Sequence, residues 1–327
     1  MKATARAHPI QGLVKYHGMV DQDRRLPYHD SISVCTAPSN TTTTVEFDAD
    51  LDEDEFVVDG ERLDGHAADR VKSVLTRVRE LAETEHATYP VRLVSENSFP
   101  TNIGFGSSSS GFAAAAAALA AAADLDLTHP ELSTIARLGS ASAARSVTGG
   151  FSDLKAGLND DDCRSYRIES DLEDELRIVA ALVPAYKETE HAHAEAADSH
   201  MFEARLAHVH AQLGAMRDAL RSGSFGRAFE LAEHDSLSLA ATTMTGPAGW
   251  VYWRPETLAI FDAVRELRTE DGVPVYFSTD TGASVYVNTT AQHVEQVEKA
   301  VSECGVETRV WEVGGPATVL DESDALF

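Results

Sequence analysis

The sequence predicts an α+β protein in two lobes. Three observations lead there. The first hundred residues hold short β-branched runs with one helical segment among them. An alanine-dense stretch, 113–123, then has strong helix propensity. Beyond residue 200, helical patterns give way to apolar strand-like runs alternating with helix, the pattern of an α/β layer. With 327 residues the chain can bury two cores. The natural cut falls near 185–190, giving lobes of 1–186 and 187–327.

Taken in order, residues 3–36 read as a strand and loop returning to a strand at 31–35. Residues 41–47 are β-rich, and 56–58 form a further strand. Asp59-Gly60 then makes a hairpin-type turn into 61–63. In 66–84, Ala67, Val71, Val74, Leu75, Val78 and Leu81 share one helical face. A strand at 91–94 leads into a Gly/Ser loop and the alanine helix. Thr128 with Glu131 three residues on has the form of a capping box, opening a helix that runs to about Gly139. The continuous apolar run 178–183 predicts a central strand, with Pro184 after it. Residues 200–232 are helical, divided at Gly223-Ser224, and Pro255 starts a third helix. Residues 273–278, 284–287 and 306–313 read as strands around a helix at 292–303. There is no internal repeat and no low-complexity linker.

The formal net charge is −26, from 53 acidic and 27 basic residues. Such a surface repels nucleic acid and anionic lipid. The acid is spread along the chain, lysines are few and alanines many. A cytosol at molar salt favours that composition, because screening there is nearly complete beyond about 3 Å. Cys35, Cys163 and Cys304 are far apart, so neither a disulfide framework nor a zinc site is expected. No apolar segment follows the basic residues near Met1, so no signal peptide is expected. The alanine run is too short for a membrane span. These points predict a cytoplasmic protein.

The organising stretch is 95–112, SENSFPTNIGFGSSSSGF. A strand, a Gly/Ser loop and a long helix in that order place free backbone N–H groups at a helix N-terminus, which favours a phosphate. Consecutive serines add hydroxyls for phosphate oxygens or a metal ion. The loop has no lysine, so it is no Walker A loop. Gly104, Gly106 and Gly111 are wrongly spaced for a dinucleotide fingerprint.

This loop resembles the phosphate-binding motif of the GHMP kinase superfamily, and the wider string resembles its mevalonate diphosphate decarboxylase branch. The resemblance implies ATP-binding roles for Ser95, Asn97, Pro100, Gly104, Gly106, Ser107, Ser108, Ser109, Ser110 and Gly111. It implies Mg2+ as well, with Ser107 or Ser108 as candidate contacts. Three further segments extend it. Residues 13–18, LVKYHG, followed by 26–33, LPYHDSIS, are similar to the family's Lys-Tyr-Trp-Gly-Lys and Leu-Pro-x-x-x-Ser-Ile-Ser. Lys15 and Tyr16 match and would orient substrate and the catalytic carboxylate. His17 replaces the tryptophan, Met19 replaces the second lysine, and Ile10 stands where the family commonly has asparagine. Residues 139–151, GSASAARSVTGGF, are similar to Gly-Ser-Gly-Ser-Ala-x-Arg-Ser-x-x-Gly-Gly-Tyr. The planar fork of Arg145 suits the substrate carboxylate, with Ser140 and Ser142 as polar contacts. Asp280, at a strand end before Gly282, takes the family's aspartate position. A carboxylate there would steer the proton of a tertiary alcohol during phosphoryl transfer, and Lys15 nearby would favour its charged form.

The implied fold is the two-lobed GHMP kinase-like one, with an N-terminal lobe like ribosomal protein S5 domain 2 and a ferredoxin-like C-terminal lobe. The implied partner is a small phosphorylated mevalonate, and the implied assembly a homodimer. The family phosphorylates the C3 hydroxyl of its substrate with ATP and then loses phosphate and CO2. Two diphosphate contacts are missing here. Met19 replaces a lysine, and Glu190-His191 stands where diphosphate enzymes carry a serine-rich run. A carboxylate beside a diphosphate repels it by roughly 4 kcal/mol at 4 Å near a surface. His191 is read as lining the substrate site rather than, with His193, binding a metal. The expected reaction is therefore conversion of (R)-5-phosphomevalonate to isopentenyl phosphate. The diphosphate enzyme, and a small-molecule kinase that stops at the phosphate ester, are the neighbouring readings.

Overall fold

A computed structural model describes residues 1–99, 106–184 and 195–327. Pairing places the strands in two large sheets. The first, six-stranded, has the order β16-β1-β6-β9-β7-β8. Its strands are β1 (Lys2–Ala7), β6 (Thr41–Phe47), β7 (Glu55–Val58), β8 (Glu61–Arg62), β9 (Val91–Asn97) and β16 (Thr318–Leu320). The second has the order β11-β10-β5-β15-β12-β14-β13, with β2 paired to β5 beside that path. Its strands are β2 (Ile10–Val14), β5 (Ser31–Ala37), β10 (Phe151–Leu154), β11 (Ser165–Ile168), β12 (Leu176–Leu182), β13 (Val275–Ser278), β14 (Val285–Thr290) and β15 (Glu307–Val313). A small hairpin, β3 (Met19–Asp21) with β4 (Leu26–Pro27), stands apart.

The first sheet packs on α1 (Gly65–Leu81), α2 (Ser107–Ala122), α3 (His129–Gly139) and α4 (Ala143–Thr148). Alanine makes α2 possible as a central helix. Its short side chains let the sheet, α1, α3 and α4 all pack against it, and Ala113 to Ala118 are at most 4% exposed. The α1 face is turned slightly from the sequence expectation: Ala68 is buried where Ala67 was placed, and Leu81 is 37% exposed. The Asp59-Gly60 turn forms as read, with φ of 51° and 83°, the left-handed pair that a two-residue hairpin needs. The Thr128–Glu131 capping box is present.

The apolar run expected as a central strand is β12, buried on both faces. Ile178, Ala180 and Leu182 meet one core with α6 (Phe202–Arg221) and α7 (Phe225–Met244). Val179, Ala181 and Val183 meet another with α8 (Pro255–Thr269) and α9 (Val294–Ser302). The short α5 spans Leu172–Glu175. β12 pairs with β14 and β15, and β15 pairs with β5 through Glu312↔Ala37 and Val313↔Thr36. β16 returns to β1. Each sheet thus contains strands from both ends of the chain.

One glycine fixes how these parts meet. Gly149, after α4, has φ 67° and ψ 177°, a region essentially reserved for glycine. A Cβ there would lie 2.2 Å from the Pro316 nitrogen. Gly149→Ala should therefore unfold the protein or lower its stability by about 3 kcal/mol or more, with both strain and a backbone clash. Gly305→Ala, also at positive φ but with open space around it, should cost only about 1–2 kcal/mol. Chemical denaturation of both variants at one salt concentration checks the contrast.

His29 supplies a second test. It is 2% exposed, its Nδ1 bonded with the Asp30 carbonyl, and burial pushes its imidazole down from 6.5 to about 4. Between those values the unfolded chain binds a proton that the folded chain does not. Stability therefore rises with pH across that window, and about 3 kcal/mol is lost as pH falls through it. Unfolding curves from pH 7 to 4 should show this, and His29→Gln should flatten the slope.

Candidate active site

The site begins on β2. All five of its residues are buried, and Gly12 leaves room on its face for two side chains. A Cβ at Gly12 would lie 2.6 Å from Lys15 Cγ and 2.9 Å from Asp280 Oδ1. Lys15 and Asp280 thus close over the same point from different parts of the chain. Asp280 follows β13, and the Tyr286 phenol is raised well above its usual range by burial and then by the Asp280 charge.

Lys15 is 6% exposed and embedded in polar contacts. Its backbone N–H donates to Asp235 Oδ2 at 2.9 Å, and its Nζ approaches the same oxygen at 3.5 Å. Nζ also donates to Ser236 Oγ at 3.1 Å and Ser278 Oγ at 3.2 Å. Arg205 closes the cluster, donating to the Lys15 carbonyl at 2.7 Å and Asp235 Oδ1 at 2.9 Å. Burial pulls the Lys15 ammonium below its ordinary pKa; Asp235 and then Asp280 oppose that pull.

Tyr16 and Arg145 meet beside this cluster, the guanidinium 5.4 Å from the ring centroid. Arg145, on α4, is 3% exposed, and among the described residues its Nε and Nη1 are buried without a hydrogen-bond partner. Burial works against its charge, offset first by Tyr16 and then by Asp280. A buried guanidinium with open donors is a site for an anion, since leaving it unmatched is costly. Ser140 and Ser142, just before α4, share a hydrogen bond of 2.8 Å.

The serines of the Gly/Ser loop are sorted by the first turn of α2. Ser109 is fully buried; its Oγ donates to the Gly106 carbonyl at 2.6 Å and accepts from the Ile10 N–H at 3.2 Å. Ser110 is also fully buried, bonded to Thr41 Oγ1 at 2.7 Å. Ser107 is half-buried and Ser108 exposed. Gly106 has φ 71°, and a Cβ there would come within 3.2 Å of the Ile10 carbonyl. The helix start is therefore seated on β2, the strand that carries Gly12. Ser95 is 3% exposed, its hydroxyl shared with Thr43 at 2.8 Å. Asn97 is held by Thr41 and Asp59. Gly111 lies in α2 with open space around it. Pro100, Gly104 and His191 lie outside the described residues.

Lys15, Tyr16, Arg145 and Asp280 thus come together, with the start of α2 against the same strand. Sequence reading missed Asp235, Arg205, Ser236, Ser278 and Tyr286. A signal existed for two of them. Asp235 falls in phase with buried Ala228, Leu231, Ala232 and Leu239 on α7, and Arg205 with Phe202, Val209 and Gln212 on α6. A charge on the buried stripe of a helix calls for a partner. Among the described residues no group of three His, Cys, Asp or Glu side chains is placed to hold a metal. No described helix is long and apolar enough to cross a membrane.

Comparison with known proteins places this geometry. Residues 7–165 match the family described as diphosphomevalonate decarboxylase-like N-terminal domain. Over 327 residues the chain is 74% identical to a phosphomevalonate decarboxylase of Haloferax volcanii, covering 100% of both proteins. The solved structure of MDDEF in complex with MVAPP, AMPPCP and magnesium superposes with a TM-score of 0.91 at 29% identity, covering 98% of this chain and 99% of that one. The mevalonate diphosphate decarboxylase from Enterococcus faecalis, in a structure of mevalonate diphosphate mediated ATP binding, gives 0.90 at 30% identity, with coverage of 98% and 99%. The fold is the two-lobed α+β one of these enzymes, and the chain belongs to the diphosphomevalonate decarboxylase-like family.

Proposed function

We infer that this protein is an ATP-dependent decarboxylase that converts (R)-5-phosphomevalonate to isopentenyl phosphate, releasing ADP, phosphate and CO2. One observation carries the reading: Arg145, its Nε and Nη1 buried and unmatched among the described residues, faces the cluster where Lys15 and Asp280 close over Gly12. An anion on Arg145 would present a neighbouring alcohol to Asp280. The 74% identity to a phosphomevalonate decarboxylase supports the monophosphate substrate, as does methionine at position 19.

The roles follow from the contacts. Arg145 holds the C1 carboxylate, assisted by Ser140 and Ser142, and Tyr16 packs on the guanidinium and orients the substrate. Asp280 steers the proton of the C3 hydroxyl. Lys15, fixed by Asp235, Ser236 and Ser278, places a positive charge beside that carboxylate. Ser107 and Ser108, the accessible pair at the start of α2, and the first-turn N–H groups hold phosphate oxygens. When bound, ATP supplies the phosphoryl group and Mg2+ offsets the charge on its oxygens. Ser95, Asn97, Ser109, Ser110 and Gly111 shape that nucleotide site from behind. His191, outside the described residues, is given a substrate-side role by the family resemblance alone.

We assign residues 1–186 to the nucleotide lobe, which contributes β2, β5, β10, β11 and β12 to the second sheet, and 187–327 to the other. The net charge of −26 and the scarcity of lysine support a salt-adapted cytoplasmic enzyme, and the family suggests a homodimer.

Asp280→Asn should lower CO2 release from 5-phosphomevalonate by about 100-fold or more while an ATP analogue still binds. Assays of both phosphorylated mevalonates with ATP and Mg2+ at high salt test the substrate; a preference for the diphosphate refutes the monophosphate reading.

A further inference from the structure

The hairpin of β3 and β4 pairs Met19 with Pro27 and Asp21 with Leu26, and its turn ends on Arg25. Arg25 has φ 52°, a left-handed conformation that non-glycine residues seldom adopt. Its Nε donates to the Leu138 carbonyl at 3.0 Å, at the end of α3. One residue on, the Gly139 carbonyl accepts from Arg70 Nε at 2.9 Å. Arg70 in turn lies over Phe112, 4.6 Å from its ring centroid. Two arginines are thus moored side by side by their Nε groups on adjacent carbonyls. Among the described residues, no ion pair and no other side-chain hydrogen bond engages Arg25.

Both guanidiniums, together with Arg145, lie within Coulombic range of the Tyr16 hydroxyl. Asp280 bears on the same phenol with the opposite sign, so a chain of net charge −26 gathers its arginines here beside one carboxylate. Arg145 serves the carboxylate end of the substrate. The opposite end of the same molecule is a phosphate. Met19, which begins the hairpin, has no charge to offer that phosphate, whereas Arg25, at its turn, does.

We propose that Arg25 is a substrate-specificity residue that grips the 5-phosphate with its Nη groups. It replaces from the hairpin turn the charge missing at position 19. A guanidinium fixed at Nε presents its remaining N–H groups as a rigid fork suited to phosphate oxygens. Holding a non-glycine residue at positive φ is a strain of the kind found where function fixes the backbone. This inference rests on the decarboxylase reading above.

The test uses the full-length enzyme at high salt and the substitution Arg25→Asn, since asparagine tolerates this backbone conformation. The melting temperature should stay within a few degrees of wild type. The KM for 5-phosphomevalonate should rise about tenfold or more, with kcat changed by less than about threefold. With mevalonate lacking the phosphate, wild type and variant should be equally poor. Arg25→Lys should recover part of the loss. An unchanged KM in Arg25→Asn overturns the assignment of Arg25 and leaves the decarboxylase reading standing. An equal penalty on the unphosphorylated compound also overturns it, by showing a structural effect. A wild-type enzyme that releases no CO2 from 5-phosphomevalonate with ATP and Mg2+ overturns both.

Discussion

The buried carboxylate of Asp235 is the constraint on which the site depends. It is fully buried in α7 and accepts from the backbone and side chain of Lys15 and from Arg205. Desolvating such a charge costs several kcal/mol, and only close, multiple donors offset that cost. The donors come from elements far apart in sequence: Lys15 from the end of β2 and Arg205 from α6. The cluster therefore works as a clamp. It fixes where β2 ends, and so where the Lys15 ammonium points. Ser236 extends the clamp by accepting from the Thr279 N–H at 3.1 Å, next to Asp280. The two residues that close over Gly12 are held from a common base on α7.

That base explains the burial of so much polar chemistry. Lys15, Arg145 and Tyr16 all carry environments that disfavour their charged forms, burial being the largest cause for each. A fold tolerates this only where the groups match one another or a ligand. Lys15 is matched within the protein by Asp235. Among the described residues, Arg145 keeps two donors unmatched. The difference separates a residue whose position is fixed by the fold from one with donors to offer the proposed substrate.

Much of this was legible in the sequence, and the reason is physical. Helix faces, the Asp59-Gly60 turn, the Thr128 cap and the doubly buried β12 follow from periodicity and local backbone preference, which a sequence carries directly. The cluster of Lys15, Tyr16, Arg145 and Asp280 was reachable through motif resemblance. What escaped were pairings across long separations. Nothing local at Thr318 says that it lies beside Arg6, and nothing near Asp235 names Lys15, 220 residues away. The continuity of the second sheet through β5 and β15 is of the same kind. Residues 151–168, assigned to no element from the sequence, form β10 and β11 because β5 offers an edge to pair with.

The four serines show how a repetitive string becomes a device. In sequence they are equivalent. On a helix each turns about 100° from the last, so consecutive residues cannot all face one way. Ser109 and Ser110 turn inward and are used up: one seats the helix start on the Ile10 N–H, the other bonds to Thr41 on the first sheet. Ser107 and Ser108 turn outward by the same geometry. The inward pair sets the height of the helix start relative to β2, and β2 carries both Gly12 and the approach to Lys15. A helix start anchored elsewhere would leave its distance from Asp280 to fluctuate. Anchored here, one strand sets both ends of the path a phosphoryl group would cross in the proposed reaction.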